Sequence, residues 1–395
     1  MSQFTFYAKK PSENYHKADI WLMASMLLLW GLGMFTLFVC SQNFALRAFD
    51  DSLYFVKRQF INSLVGFVLF FGFMLTDIKV VRKFVSIIVL ISLVLCLMTF
   101  IKPLSIEKNG ARRWLKMPGN FSFQPSELVK FAMVLFLANY FDKQEKIIDP
   151  DEKTVFPCVI GLLCFVGIVL AQKDFSSGIF LLGIGILMFF VTGMKLVWIW
   201  PFLLIAVPAT ILMIVLEPFR IQRLVGWLRP DQFASGVNYQ SMAAKRAINA
   251  GGMWGSGIGT GLTRINSVPE IQSDYIFAGW TEAMGFVGVI IYFILLGFFA
   301  WRGFKTSLKC PDRFSAYASF GCVSVIFLQS LLNTMVVSGI LPSTGINLPF
   351  FSLGGSSIIV TLAMCGFILN SSRCEESSEK SLESDEINLE TLSYL

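Results

Sequence analysis

The chain has a single histidine, His16, in 395 residues. With its one imidazole in the N-terminal tail, and no CxxC pair among its eight cysteines, it offers no plausible His/Cys zinc site. Charge is scarce too: Asp, Glu, Lys and Arg make up 15% of the residues, against about 25% in a soluble domain. Hydrophobic residues reach 55% and include 40 Phe, and mean hydropathy is +0.67. That balance excludes a water-soluble domain and places the chain in a bilayer. Most cysteines fall in apolar runs, where a thiol is a small buried hydrophobe. No strand precedes the glycine-rich GGMWGSGIGTG and no βαβ unit surrounds it, which argues against a dinucleotide loop. Its glycines instead let the backbone bend tightly over the membrane surface. No internal repeat is visible.

A helix needs roughly 20 apolar residues to cross the hydrocarbon core. Ten stretches qualify, at about 20–40, 60–76, 82–100, 123–141, 156–172, 175–194, 196–216, 275–300, 314–339 and 348–370. The expected fold is therefore an all-α polytopic membrane protein of about ten transmembrane helices. A cytoplasmic tail over 1–19 precedes the ten-helix domain over 20–370, whose external loops lie at about 101–122 and 217–274, the second between spans 7 and 8. The tail at 371–395 is Ser-rich and acidic, which predicts disorder. Within the long loop, NYQSMAAKRAINAGG reads as a short helix from Tyr239 to Ala250, capped by Asn238 and closed by Gly251 or Gly252.

An even number of spans puts both termini on one side. Lys9, Lys10, Lys17, Lys79, Arg82, Lys83 and Arg302 mark that side as cytoplasmic. The external loops nevertheless carry Arg112, Arg113, Lys116, Arg220, Arg223, Arg229, Lys245, Arg246 and Arg264. Either the topology is inverted or an external anionic ligand requires those charges, and the second reading is the one adopted.

Five stretches could carry chemistry. In FQPSELVKF, Pro125 and Glu127 suit a first helical turn, whereas Lys130 shares a face with Glu127 and is costly in lipid unless it pairs and turns to a polar cavity or snorkels to the nearby interface. GARRWLK places Arg112, Arg113 and Lys116 beside Trp114, a composition that suits phosphate binding and plain attraction to anionic lipids equally. Asp174 stands in the short turn of AQKDFSSG, where an acid often bonds local backbone. In SVPEIQSDYIFAGW, Ser273 or Asp274 reads as a helix cap, or Asp274 as a carboxylate at a cavity mouth. LPSTGINLPFFSLGGSS breaks a helix at membrane depth, which demands burial in protein or a watery cavity.

Together these stretches resemble the SEDS family, the FtsW and RodA proteins that polymerise lipid II into glycan strands, over roughly residues 20–370. FLANYF, LEPFRIQR and the NYQ…GGMWGSGIG region look closer to the cell-division FtsW branch. The resemblance implies attack by the 4-hydroxyl of one lipid-linked disaccharide on the anomeric carbon of another, releasing undecaprenyl diphosphate. It makes Asp274 the base and assigns substrate binding to Arg112, Arg113, Lys116, Glu127, Lys130, Asp174, Tyr239, Gln240, Ser356 and Ser357. It implies a class B penicillin-binding transpeptidase and other division membrane proteins as partners, no nucleic acid, residence in the bacterial inner membrane, and a divalent cation only as companion to the lipid diphosphate. Departures from the family pattern are Lys173 and Ser176 around Asp174, Gln272 and Ser273 in place of a His-Thr pair, Ala243 to Arg246 in the loop helix, and Leu353 for the usual Tyr. The competing functions are a flippase for the same lipid, which needs no base at the external surface, and a noncatalytic division scaffold.

Overall fold

A computed structural model of the chain describes residues 17–108, 110–118, 121–144, 152–193, 204, 217–229, 238–257 and 271–373. In chain order these form α1 (Ile20–Phe49), α2 (Tyr54–Leu75), α3 (Ile78–Met98), β1 (Ser105–Lys108), β2 (Ala111–Met117), β3 (Phe121–Phe123), α4 (Pro125–Gln144), α5 (Glu152–Ala171) and α6 (Phe175–Val191). They continue with α7 (Pro218–Leu228), α8 (Tyr239–Gly251), α9 (Ile276–Lys309), α10 (Arg313–Val337) and α11 (Gly355–Arg373). Helices α1, α2, α3, α9, α10 and α11 are long and apolar enough to cross a membrane, and α5 and α6 add apolar stretches at Phe156–Ala171 and Phe175–Val191. The expected span at 196–216, apart from Leu204, lies outside the described residues, as do Arg264 and the acidic tail from 374 onward.

Aspartates just outside the apolar runs start several helices. Asp19 accepts hydrogen bonds from the Trp21 and Leu22 amides, Asp77 from that of Lys79, and Asp312 from that of Ser315. The last span starts later than its apolar pattern suggests, at Gly355 rather than 348. Residues 341–354 are irregular because Pro342 and Pro349 remove donors and Phe350 has φ +66°. A bulky residue in that region is strained, so the packing around it must hold it there.

The helices sort into a buried centre and a lipid-facing rim. In α11, 89% of the apolar window is buried, against 22% in α2 and in α3. Helix α2 packs along α11, clipped at one end by Gln59 donating to Ser352 O (3.1 Å) and at the other by Asn370 donating to Phe73 O (2.7 Å). Its outer face exposes Phe60, Leu64, Val68, Phe71 and Leu75 at helical spacing, a stripe that lipid tails cover. Ion pairs join α3 to α4 through Arg82 and Asp142, and α9 to the start of α1 through Arg302 and Asp19.

Two features depart from the sequence reading. The loop at 101–122 contains a three-stranded antiparallel sheet, with Lys108 opposite Ala111 across a two-residue turn containing Gly110 at φ +70°. The glycine-rich stretch does more than bend over the surface, because α9 is broken at Gly285 (φ +65°) and residues 252–257 dock into the break. Phe286 N donates to Gly252 O (2.9 Å) and Ser256 N to Glu282 O (2.9 Å), satisfying backbone groups that a broken membrane helix would otherwise strand.

Candidate active site

At the end of the bundle that bears the sheet, the helices enclose a cavity of about 870 Å³, toward the upper end of the roughly 300–1,000 Å³ usual for small-molecule sites. Its walls come from the end of α1, the start of α2, strands β2 and β3, the starts of α4, α6 and α11, helices α7 and α8, and the segments 272–274 and 344–347. A smaller cavity of about 400 Å³ between α8, α9 and α10 is lined by Ile248, Phe277, Phe286, Leu331 and similar residues, with no ionisable group among them.

One pole of the large cavity is built on α4. Pro125 opens this helix as its pattern predicts, and Glu127 and Lys130 lie on one buried face. Lys130 Nζ donates to Glu127 Oε1 at 2.7 Å and to Gln329 Oε1 on α10 at 2.8 Å, and lies 5.7 Å from the centre of the Phe180 ring. Gln329 in turn donates to Asn347 O at 2.9 Å. Lys130 therefore does not snorkel to the interface; it is 2% exposed and lines the cavity with Glu127. Removing one member of such a buried pair costs about 3–5 kcal/mol, because the other charge is left uncompensated.

Asp174 bonds local backbone, as its turn position suggests, and also reaches the start of α4. It is the N-cap of α6, accepting from Ser177 N at 3.5 Å, and also accepts from Gln124 Nε2 (3.2 Å) and Ser126 Oγ (3.3 Å) at the start of α4. Arg113 Nη1 stands 3.6 Å from its other oxygen, while Nη2 of the same guanidinium donates to Lys173 O. The Gln124 amide donates to Ser356 Oγ at 2.6 Å, which joins α4 to the first turn of α11.

The other pole carries Asp274. The cap expectation fails here, since α9 starts at Ile276 and its N-cap, Tyr275, makes no side-chain capping bond. Residues 272–274 instead run beside the irregular segment ahead of α11. Leu353 N donates to Gln272 O (2.7 Å), Ser352 Oγ to Ser273 O (2.5 Å), and Asn333 Nδ2 on α10 to both Asp274 O (2.8 Å) and Ile346 O (2.7 Å). Three successive carbonyls are thus fixed by distant partners while the Asp274 side chain lines the cavity. Nearby, Tyr275 Oη and Ser241 Oγ are 3.0 Å apart, and burial pushes the phenol above its usual range. Burial also lowers Arg223 from the usual guanidinium value, with Arg113 adding to the effect and the Asp274 carboxylate opposing it.

The cavity gathers most of the residues singled out from the sequence: Arg113, Glu127, Lys130, Asp174, Gln240, Asp274, Ser356 and Ser357. Arg112, Lys116 and Tyr239 are not among its lining residues. Arg112 turns to Glu107 on β1 (2.8 Å), and Lys116 and Tyr239 are exposed. Sequence reasoning passed over Arg58, which lines the cavity from α2 with its guanidinium 5.1 Å from the centre of the Phe121 ring. The signal for it was a charge in the first turns of an apolar helix, where an ionisable residue is functional by default. Asn62, one turn further along α2, and Asn347 were missed as well.

A family model for cell cycle proteins, covering FtsW, RodA and SpoVE, matches residues 20–377. Stage V sporulation protein E of Bacillus subtilis is 32% identical over 90% of this chain and 97% of its own length. A probable peptidoglycan glycosyltransferase FtsW of Borreliella burgdorferi is 32% identical over 89% of this chain and 95% of its own. Among solved structures, a chain described in work on the coordination of polymerization and crosslinking by a peptidoglycan synthase complex superposes with TM-score 0.71 at 26% identity, covering 90% of this chain and 98% of that one. The rod shape determining protein RodA of Thermus thermophilus gives TM-score 0.67 at 25% identity, covering 91% and 98%. With a family model over 20–377 and relatives 32% identical across nine-tenths of its length, the chain belongs to the FtsW/RodA/SpoVE family of cell cycle proteins.

Proposed function

We propose that this protein is a peptidoglycan glycosyltransferase that polymerises lipid II at the external face of the bacterial inner membrane during cell division, with both termini in the cytoplasm. The observation that carries the reading is the placement of the Asp274 carboxylate in one cavity with the cationic side chains of Arg58, Arg113, Lys130 and Arg223. Glycosyl transfer requires both kinds of group. The 4-hydroxyl oxygen of one lipid-linked disaccharide bonds to the anomeric carbon of another, and the bond from that carbon to the diphosphate oxygen breaks. The electron pair leaves with undecaprenyl diphosphate, and the hydroxyl proton passes to Asp274. A positioned carboxylate base contributes roughly 100- to 10,000-fold. The cations stabilise charge accumulating on the leaving group.

Arg58 and Arg113 suit the diphosphate best, as guanidinium groups at the cavity wall. Lys130 is committed to Glu127 and Gln329 and fixes the polar floor. Among the described residues no group of three or more acidic, His or Cys side chains gathers around a metal position. A divalent cation arriving with the substrate would therefore be held chiefly by diphosphate oxygens, where it neutralises leaving-group charge. The family relatives named FtsW favour the division role, and the structural neighbour from a polymerising and crosslinking complex supports a class B penicillin-binding transpeptidase as partner.

The test is a gel of glycan products from lipid II and the protein purified with that partner. Wild type gives polymer, and Asp274→Asn and Asp274→Ala, folded and partner-bound, give none. Near-normal polymer from either variant removes Asp274 as the base. Movement of labelled lipid II across vesicles without polymer replaces the reading with a flippase.

A further inference from the structure

The connection between α10 and α11 is held by more donors than its length requires. Arg223 Nη1 on α7 donates to Ser343 O at 3.3 Å, and Trp227 Nε1, one turn further along α7, donates to Gly339 O at 3.1 Å. Ser176 Oγ on α6 donates to Thr344 O at 2.9 Å, and Asn333 on α10 donates to Ile346 O at 2.7 Å. The carbonyls of 339, 343, 344 and 346 are thus fixed from three different helices.

Gly345 lies in the middle of this run at φ +73°, a conformation that side chains with a Cβ rarely adopt. Its open side faces the Asp274 carboxylate. A Cβ built on Gly345 would stand 3.3 Å from Asp274 Oδ2, nearer than an ordinary van der Waals contact. The backbone of Asp274 is fixed by Asn333, so a side chain at 345 would push the carboxylate aside by a few tenths of an ångström. Arg223 acts on the same carboxylate in a second way. It lines the cavity with Asp274 and interacts with its charge, while the same guanidinium holds the carbonyl two residues before Gly345.

We infer that Gly345 and Arg223 are positioning residues for Asp274: the 339–346 segment forms a seat for the carboxylate, and α7 fixes that seat through Arg223 and Trp227. This rests on the reading of Asp274 as the base. Helix α7 is itself anchored on the far side of the cavity, where Glu217 meets Lys173 at 3.3 Å and the Arg220 guanidinium lies 5.0 Å from the Phe175 ring centre. The loop between the seventh and eighth expected spans therefore sets the direction in which the carboxylate points.

The experiment uses the full chain with its transpeptidase partner and measures initial rates of lipid II polymerisation against substrate concentration and pH. Gly345→Ala should lower kcat on the order of 10- to 100-fold with little change in KM, the cost of a small misplacement of a reacting group. Gly345→Asn separates the causes, because asparagine tolerates positive φ but still carries a Cβ. If the carboxylate is displaced, Asn is impaired like Ala; if only backbone strain matters, Asn restores the rate and the inference fails.

Arg223→Gln removes a positive charge that favours the ionised carboxylate. Among the described residues, Arg58 and Arg113 line the cavity with Arg223 and Asp274, Glu127, Lys130 and Asp174 stand at the opposite pole, and Tyr275 adjoins Asp274 in the chain and interacts with its charge. The acidic limb of the kcat profile should therefore move upward, and Arg223→Lys should move it back. Thermal melts and partner co-purification establish that each variant is folded; a variant that does not fold is replaced by the other residue's pair. Asp274→Asn runs alongside. If it polymerises, the reading of Asp274 fails; if it is inactive while the folded Gly345 and Arg223 variants keep wild-type kcat and pH profile, only the seat is overturned.

Discussion

The two poles of the cavity are built differently around their carboxylate-bearing residues. On α4, Glu127 is committed through its side chain, with Lys130 at 2.7 Å and Gln329 behind it. At the start of α9, Asp274 is held through its backbone, by Asn333 from α10 and by neighbours whose carbonyls are tied to Ser352 and Leu353. A carboxylate locked into an ion pair shapes a site and stores charge. Asp274, whose main chain is fixed while it lines the cavity with Arg223, is on the proposed reading the group that takes the substrate proton. On that reading the first pole shapes the site and the second supplies the base.

Breaking the chemical pole should have the largest effect on rate. Asp274→Asn should lower polymerisation roughly 100- to 10,000-fold while the melting temperature stays near wild type, measured by product gel and thermal unfolding. Breaking the structural pole should show first in stability. Lys130→Met leaves Glu127 charged and buried and should cost about 3–5 kcal/mol, and adding Glu127→Gln should recover much of the stability but not the activity.

Asn333→Ala tests the backbone clamp directly. It leaves the carbonyls of Asp274 and Ile346 without their Asn333 donor, worth about 1–3 kcal/mol, and should lower kcat more than KM because the carboxylate loses its fixed base. The smallest effect belongs to Arg112→Ala. Its pair with Glu107 is exposed, such pairs contribute about 0–1 kcal/mol, and Arg112 is not a lining residue of the cavity, so both melting temperature and rate should stay within error.

The sequence made the first pole readable and left most of the second hidden, for a physical reason. Pro125, Glu127 and Lys130 lie within six residues, and helical spacing alone puts the two charges on one face. The clamp on Asp274 joins Ser273 to Ser352 across 79 positions and Asp274 to Asn333 across 59, and no local pattern encodes such pairings. Ser273 and Asp274 therefore looked like helix caps although neither is the cap. The hairpin is a different kind of miss. Asn109-Gly110 is a strong two-residue turn signal, but ARRWLK lacks the clean alternation of a half-buried strand, so the loop did not look like a sheet. The break in α9 was likewise hidden, because Gly285 looks like an ordinary glycine of a long apolar run until residues 252–257 are seen to fill it. Most spans were legible from length and hydropathy, which the bilayer imposes.

The most direct test of the central claim is the pH dependence of kcat for lipid II polymerisation by the wild type and by Asp274→Asn, each purified with its transpeptidase partner. Catalysis by the Asp274 carboxylate predicts an acidic limb in the wild type, and in the variant a rate lowered by about two or more orders of magnitude with that limb absent. A variant that keeps both the wild-type rate and the acidic limb would contradict it and place the base elsewhere in the cavity.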